Sequence, residues 1–208
     1  MNKITSLNKL KYSENLLLIK EKALREDVPI VSDDVLTYLV KTIKLLEVKN
    51  ILEIGTAIGY SSISMAINSV ANIDTIERNE ANFNQAIENI RMCKLNERIK
   101  VFNEDALTID LNLLKDHYDL IFIDAAKAQM RKFFEKFSPK LSFNGVIIID
   151  NLNFHGLVYG NIPIKNKNLK SLVRKIAEFN LWLSQKEDFE TYFFSIGDGM
   201  AICRKKNE

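Results

Sequence analysis

Residues 50–62 read N-I-L-E-I-G-T-A-I-G-Y-S-S, and this stretch decides the fold. Asn50 to Ile54 is a short apolar run rich in β-branched residues, the signature of a buried strand. A segment of helical length and pattern follows Gly59. Glycines between a buried strand and a helix let the backbone turn tightly and approach a ligand closely. Ala57 stands where the dinucleotide pattern GxGxxG has its second glycine, and Gly59 follows Gly55 by four residues. That spacing argues against a pyrophosphate cradle. It suits a cofactor without phosphates, held by the amides of the turn. A plain strand-to-helix turn is the competing reading.

The same grammar repeats outward. Ile73 to Glu77, Ile99 to Asn103, Tyr118 to Asp124 and Gly145 to Asp150 are apolar runs separated by helical segments. Alternation of this kind predicts βα units and a parallel sheet buried on both faces. Upstream, residues 13–25 and 33–47 have helical periodicity, with Asp33 and Asp34 suited to a helix start after Pro29. Downstream, ETYFFSI and MAICRKK flank Gly197-Asp198-Gly199, which predicts a terminal antiparallel hairpin. No repeat or low-complexity linker interrupts the chain. It reads as a single α/β domain over 1–208, helical over 1–48 and with its core over 49–208.

Composition narrows the function. Of 208 residues, 47% are apolar and 27% charged, and 29 Lys and Arg against 27 Asp and Glu leave a net charge of +2. This excludes a strongly basic DNA-coating protein and an acidic disordered chain, but leaves room for a local RNA-binding patch. Cys93 and Cys203 have no CxxC partner and read as buried small apolar residues of a reduced protein. The opening MNKITSLNKLKYSENLLLIKEK lacks the uninterrupted apolar stretch of a secretory signal, and no later run is long enough to span a membrane. A cytoplasmic, non-membrane location is expected.

The strand ends carry the chemistry. Glu77 closes the second strand 22 residues after Gly55, where an acid binds ribose hydroxyls in adenosine-binding folds. Asp105-Ala106 follows the third strand and is placed to meet an adenine edge. Asp124 closes the fourth strand within IFIDAAKAQ, and Asp150-Asn151 the fifth within VIIIDNLNFHG. Two carboxylates and an amide oxygen make a hard all-oxygen site suited to Mg²⁺ rather than Zn²⁺. Helix N-capping by the two aspartates is the alternative. Lys127 lies one helical turn past Asp124, where its amine could hold a substrate oxygen or take its proton. With 22 lysines in the chain, only this position singles it out.

Taken together, PIVSDDV, LEIGTAIGYSS, IERNE, NEDA, IFIDAAK, VIIIDN and IGDGMAICRK resemble the cation-dependent class I O-methyltransferase family that includes catechol and caffeoyl-CoA O-methyltransferases. The resemblance implies a Rossmann-like three-layer sandwich, mostly parallel, ending in an antiparallel hairpin. It implies S-adenosylmethionine at Val31, Glu53, Gly55, Ser61, Glu77, Asp105, Ala106 and Asp124. It places Mg²⁺ (or Mn²⁺) on Asp124, Asp150 and Asn151, catalysis on Lys127 with Asp124, and a homodimer as the assembly.

Within that family, DNLNFHGLV is similar to the DN-x-x-F-x-G-L-V segment of bacterial tRNA 5-hydroxyuridine methyltransferases, with His155 at the variable position. The implied reaction converts 5-hydroxyuridine at the tRNA wobble position to 5-methoxyuridine. A catechol offers the same acidic ring hydroxyl beside a second oxygen, so a small catechol-like metabolite is the alternative acceptor. A non-catalytic adenosine- or RNA-binding protein on the same fold is the third reading. Residues 153–175 place Lys165, Lys167, Lys170, Arg174 and Lys175 in one stretch with Phe154, His155 and Tyr159. Basic side chains neutralise phosphates while aromatics stack on unpaired bases, which suits a tRNA anticodon loop. A solvated lid is the bland equivalent.

Overall fold

The computed structural model describes residues 10–160 and 163–206. Contacts divide the described chain between Leu114 and Lys115, so the helical opening belongs with the first three strands.

The first unit holds α1 (Glu14–Arg25), α2 (Asp33–Leu45), β1 (Asn50–Ile54), α3 (Tyr60–Asn68), β2 (Asn72–Ile76), α4 (Glu80–Met92) and β3 (Ile99–Phe102). β2 pairs in parallel with β1 on one side and β3 on the other. Four of the five residues of β1 and of β2 are buried, with Glu53, Asp74 and Thr75 as polar residues among the apolar ones. The helices start where a side-chain oxygen meets a free amide. Ser13 accepts from the amide of Leu16, Ser32 from that of Val35, and Asn79 from that of Asn82. Ser32, not Asp33 or Asp34, is therefore the cap of α2; the two aspartates occupy its first turn, where their charge complements the helix dipole. The same helix buries Val35, Leu36, Leu39, Val40 and Ile43 along one stripe. Beyond α3, the Arg98 guanidinium donates to the carbonyls of Ala66, Ser69 and Ala71 at 2.9, 3.2 and 2.5 Å. It gathers the acceptors that the helix end leaves open.

The second unit holds β4 (Tyr118–Ile123), α5 (Met130–Phe137), β5 (Leu141–Asp150), α6 (Lys167–Ser184), β6 (Phe189–Phe194) and β7 (Met200–Lys205). β4 and β5 are parallel; β7 runs antiparallel to both β5 and β6. This is the mostly parallel α/β arrangement with a terminal hairpin that the alternation predicts. β5 begins at Leu141, four residues earlier than Gly145, and its pairing with β4 shifts register between Tyr118 and Leu120. Gly145 lies inside the strand because a Cβ there would stand 2.8 Å from the Asp119 carbonyl oxygen and 2.9 Å from Leu141 Cδ1. Gly197 (φ 58°) and Gly199 (φ 83°) supply the left-handed geometry of the hairpin turn. Phe134 of α5 meets Trp182 of α6 edge-on at 5.6 Å, which seats the two helices together, and Phe179 stacks on Trp182 within α6 at 5.8 Å.

Cys203 is buried and Cys93 is only half-buried, so the expectation of two buried cysteines holds for one; neither forms a disulfide. No helix among the described residues is long and apolar enough to cross a membrane.

Arg98→Met should leave three carbonyls without their charged donor. Urea unfolding is expected to show a loss of about 2 kcal/mol, with Arg98→Lys intermediate. A midpoint unchanged in both variants would show that solvent satisfies these carbonyls equally well.

Candidate functional site

In the first unit, the turn after β1 bends through Gly55 (φ 101°), Ala57 (φ 46°) and Gly59 (φ 83°). Four of its amides already have acceptors within the protein. Gly55 and Thr56 donate to the Ile76 carbonyl at 3.1 and 3.3 Å, and Gly59 to the Thr56 carbonyl at 2.9 Å. Ala57 donates to Glu77 Oε2 at 2.9 Å. These four amides are committed to sheet and turn.

Glu77 emerges as the polar centre of this half. Oε2 takes the Ala57 amide and Oε1 the Asn79 amide at 2.8 Å. A carboxylate offers about four acceptor positions, so each oxygen keeps one for a ligand hydroxyl. The Glu77 carbonyl also accepts from Glu104, tying the ends of β2 and β3 together. Asp105 sits just beyond. Its Oδ1 accepts from Leu107 at 2.8 Å, and Oδ2 lies 3.7 Å from the Arg78 guanidinium, a partner that sequence reading overlooked. Val31 and Ala106 are buried apolar surface.

Glu53 is different. It is wholly buried, and its oxygens accept from Ser61 Oγ at 2.5 Å, from Ser62 Oγ and from Thr75 Oγ1 at 2.6 Å. Thr56 and Thr75 hydroxyls meet at 2.6 Å beside it. Three hydroxyls replace the water that a buried carboxylate loses. Glu53 thus fixes the start of α3 to β1 and β2, and its carboxylate is spent on the protein itself. Ser61 gives its hydroxyl proton to Glu53 and keeps its lone pairs.

In the second unit, the predicted quartet converges. Lys127 Nζ donates to Asp124 Oδ1 at 2.8 Å and reaches the Asp150 carbonyl oxygen at 3.5 Å. Asn151 Nδ2 donates to the same Asp124 oxygen at 3.0 Å, and the Asn151 amide donates to Asp150 Oδ1 at 2.7 Å. Neither aspartate caps a helix. The short 3₁₀ turn at Lys127–Gln129 follows Ala126 without a side-chain cap, and Asp150 is the last residue of β5. Asp150 is 3% exposed. Burial and, next, the charge of Asp124 push its carboxyl up to about 7. Two acids and an amide oxygen form an electron-rich, oxygen-only donor set that a hard divalent cation would fit, relieving the repulsion between the acids. No group of three or more His, Cys, Asp or Glu gathers anywhere among the described residues; this cluster has two acids and an amide.

The loop after Asn151 carries Phe154 and His155, whose rings lie 5.3 Å apart at 49°. Lys165 precedes α6; Lys167, Lys170, Arg174 and Lys175 lie on it, all exposed. Arg174 turns to Glu178 on its own helix at 3.5 Å. Residues 161 and 162, inside this stretch, lie outside the described residues. Sequence reading overlooked Asp198, whose carboxylate accepts the His155 amide at 2.7 Å across the loop.

Known proteins are similar to this chain over most of its length. Tapetum-specific methyltransferase 1 of Arabidopsis thaliana is 28% identical over 173 residues, covering 81% of this chain and 74% of that one. A solved Staphylococcus aureus structure with a provisional caffeoyl-CoA O-methyltransferase assignment is 38% identical, with a TM-score of 0.88 over 94% of this chain and 93% of its own. The structure of a Bacillus cereus O-methyltransferase in complex with SAH is 26% identical, with a TM-score of 0.79 over 94% and 92%. The family model for O-methyltransferases matches residues 5–206. The chain folds as an α/β Rossmann-like methyltransferase and belongs to the O-methyltransferase family.

Proposed function

We propose that this protein transfers a methyl group from S-adenosylmethionine to a ring hydroxyl that stands beside a second oxygen, with a divalent cation at Asp124, Asp150 and Asn151. The observation that carries this reading is the convergence of those three side chains with Lys127. The Bacillus cereus relative binds SAH, the demethylated form of this cofactor. Glu77, with acceptor capacity left on both oxygens, would receive the ribose hydroxyls.

When bound, the cation supplies positive charge beside the acceptor and makes its hydroxyl proton easier to remove. S-adenosylmethionine supplies a methyl group on a sulfonium. The protein's own part is positioning. Lys127 Nζ, held beside Asp124, would stand against the acceptor oxygen and orient it, and the hydroxyl proton leaves as the new O–C bond forms and the S–C bond breaks. Holding both reactants in line removes much of the entropic barrier.

For the acceptor, we infer 5-hydroxyuridine at the wobble position of tRNA. The DNLNFHGLV segment, the Phe154–His155 ring pair and the exposed Lys165, Lys167, Lys170 and Arg174 support it. A small catechol-like acceptor is the second reading, favoured by the provisional assignment of the Staphylococcus aureus relative. Mass spectrometry of tRNA nucleosides from cells with and without the protein separates them. Loss of 5-methoxyuridine with accumulation of 5-hydroxyuridine is expected, and unchanged nucleosides would remove tRNA as the substrate.

Three outcomes test the site. Asp150 titrates at about 7 when folded against an ordinary 3.8. The folded chain therefore binds that proton more tightly, and without a cation its stability falls as pH rises between those values. Millimolar Mg²⁺ should raise the melting temperature more at pH 8 than at pH 5, and not in Asp150→Asn; an equal shift in the variant would place the cation elsewhere.

Glu77→Ala should weaken S-adenosylmethionine binding about ten- to hundred-fold by calorimetry, with Glu77→Gln less affected. An unchanged dissociation constant would move the ribose to another acceptor.

Changing Lys165, Lys167 and Lys170 together to alanine should weaken tRNA binding and flatten its dependence on log salt by about 2 units. Methylation of free 5-hydroxyuridine should stay the same. Equal losses on tRNA and nucleoside would make these lysines part of the loop's structure rather than an RNA contact.

A further inference from the structure

The loop after β5 holds an unusual backbone. Asn151 (φ 64°), Phe154 (φ 47°), His155 (φ 57°) and Gly156 (φ 75°) are all left-handed, and three of them carry side chains. Such a run persists only when its surroundings hold it. Two elements do so. From α6, Asn180 Nδ2 donates to the Leu152 carbonyl at 2.9 Å and to the Tyr159 hydroxyl at 3.1 Å. From the β6–β7 turn, the Gly199 and Asp198 carbonyls accept the amides of Leu152 and Asn153, each at 2.8 Å. The approach is so close that a Cβ on Gly199 would lie 2.9 Å from both the nitrogen and the Cβ of Asn153.

The remaining grip is a side chain. Both oxygens of Asp198 stand 2.7 Å from the His155 amide, while the His155 ring itself projects into solvent. The carboxylate is spent on a loop amide 43 residues away in sequence, and its Oδ2 lies 3.8 Å from the His155 ring nitrogen Nδ1. It sets the residue whose amide it holds, and with it the Phe154–His155 pair.

We propose that Asp198 is a positioning residue: by capping the His155 amide it holds the Phe154–His155 rings as the surface on which the acceptor's ring lies. This rests on the methyl-transfer reading above and adds to it the group that shapes acceptor binding. Such a residue acts on acceptor affinity rather than on cofactor binding or the chemical step.

The test uses the full chain with Mg²⁺ and S-adenosylmethionine, and 5-hydroxyuridine and 3,4-dihydroxybenzoate as acceptors. Asp198→Ala should raise the acceptor KM about tenfold, with kcat and S-adenosylmethionine affinity within about twofold of wild type. Asp198→Asn keeps an acceptor oxygen without the charge and should restore the KM. Hydrogen exchange at the His155 amide should quicken about tenfold or more in Asp198→Ala and not in Asp198→Asn. If the alanine variant does not fold, Asp198→Ser, whose hydroxyl is one bond short of that amide, takes its place. A wild-type KM in Asp198→Ala, or an Asp198→Asn variant as impaired as alanine, overturns the proposal and leaves the methyl-transfer reading standing. Wild-type protein that methylates neither of these nor tRNA carrying 5-hydroxyuridine overturns both.

Discussion

A carboxylate that leaves water has to be met by something, and the acids at the strand ends differ in what meets them. Glu53 has three hydroxyls and is fully answered from within the protein. Glu77 has two backbone amides, one per oxygen, and retains capacity. Asp150 has one amide, a neighbouring like charge and almost no exposure. This gradient separates an acid fully spent inside the fold from one with acceptor capacity left and one held in burial beside a like charge. Each lies at or next to the end of a parallel strand, where the chain passes from buried sheet to loop.

The fold was largely legible because parallel strands buried on both faces leave an unmistakable trace. Asn50–Ile54 matches to the residue, and Asp124, Lys127, Asp150 and Asn151 come together as their positions after strands suggest. What could not be read depends on partners distant in sequence. Glu53 looks like a ligand-facing acid until Thr75, from the neighbouring strand, is seen to close over it. Gly145 looks like a strand boundary, yet it marks where β5 passes close to Asp119 and Leu141. Asp198 carries no local signal at all, since a Gly-Asp-Gly turn explains itself without any reference to His155.

The second unit joins its parts through backbone as much as through side chains. The hairpin turn accepts amides from Leu152 and Asn153, and α6 reaches the same loop through Asn180. The exposed basic residues of α6 therefore share a helix with a buried anchor of the loop that follows Asn151. Their side chains are solvated and, for Arg174, paired within the helix, so any hold they have on a polyanion is a matter of long-range charge and salt.

The saturated amides after β1 have a consequence for molecular discrimination. Loops that bind nucleotide phosphates do so with unpaired backbone donors aimed at the anion. Here Gly55, Thr56, Ala57 and Gly59 have each already given their proton away, and the carboxylate of Glu77 adds negative charge at the same place. A nucleoside di- or triphosphate would find repulsion where a dinucleotide-binding turn offers welcome. A turn with these amides committed and a carboxylate beside them is electrostatically unsuited to a phosphate.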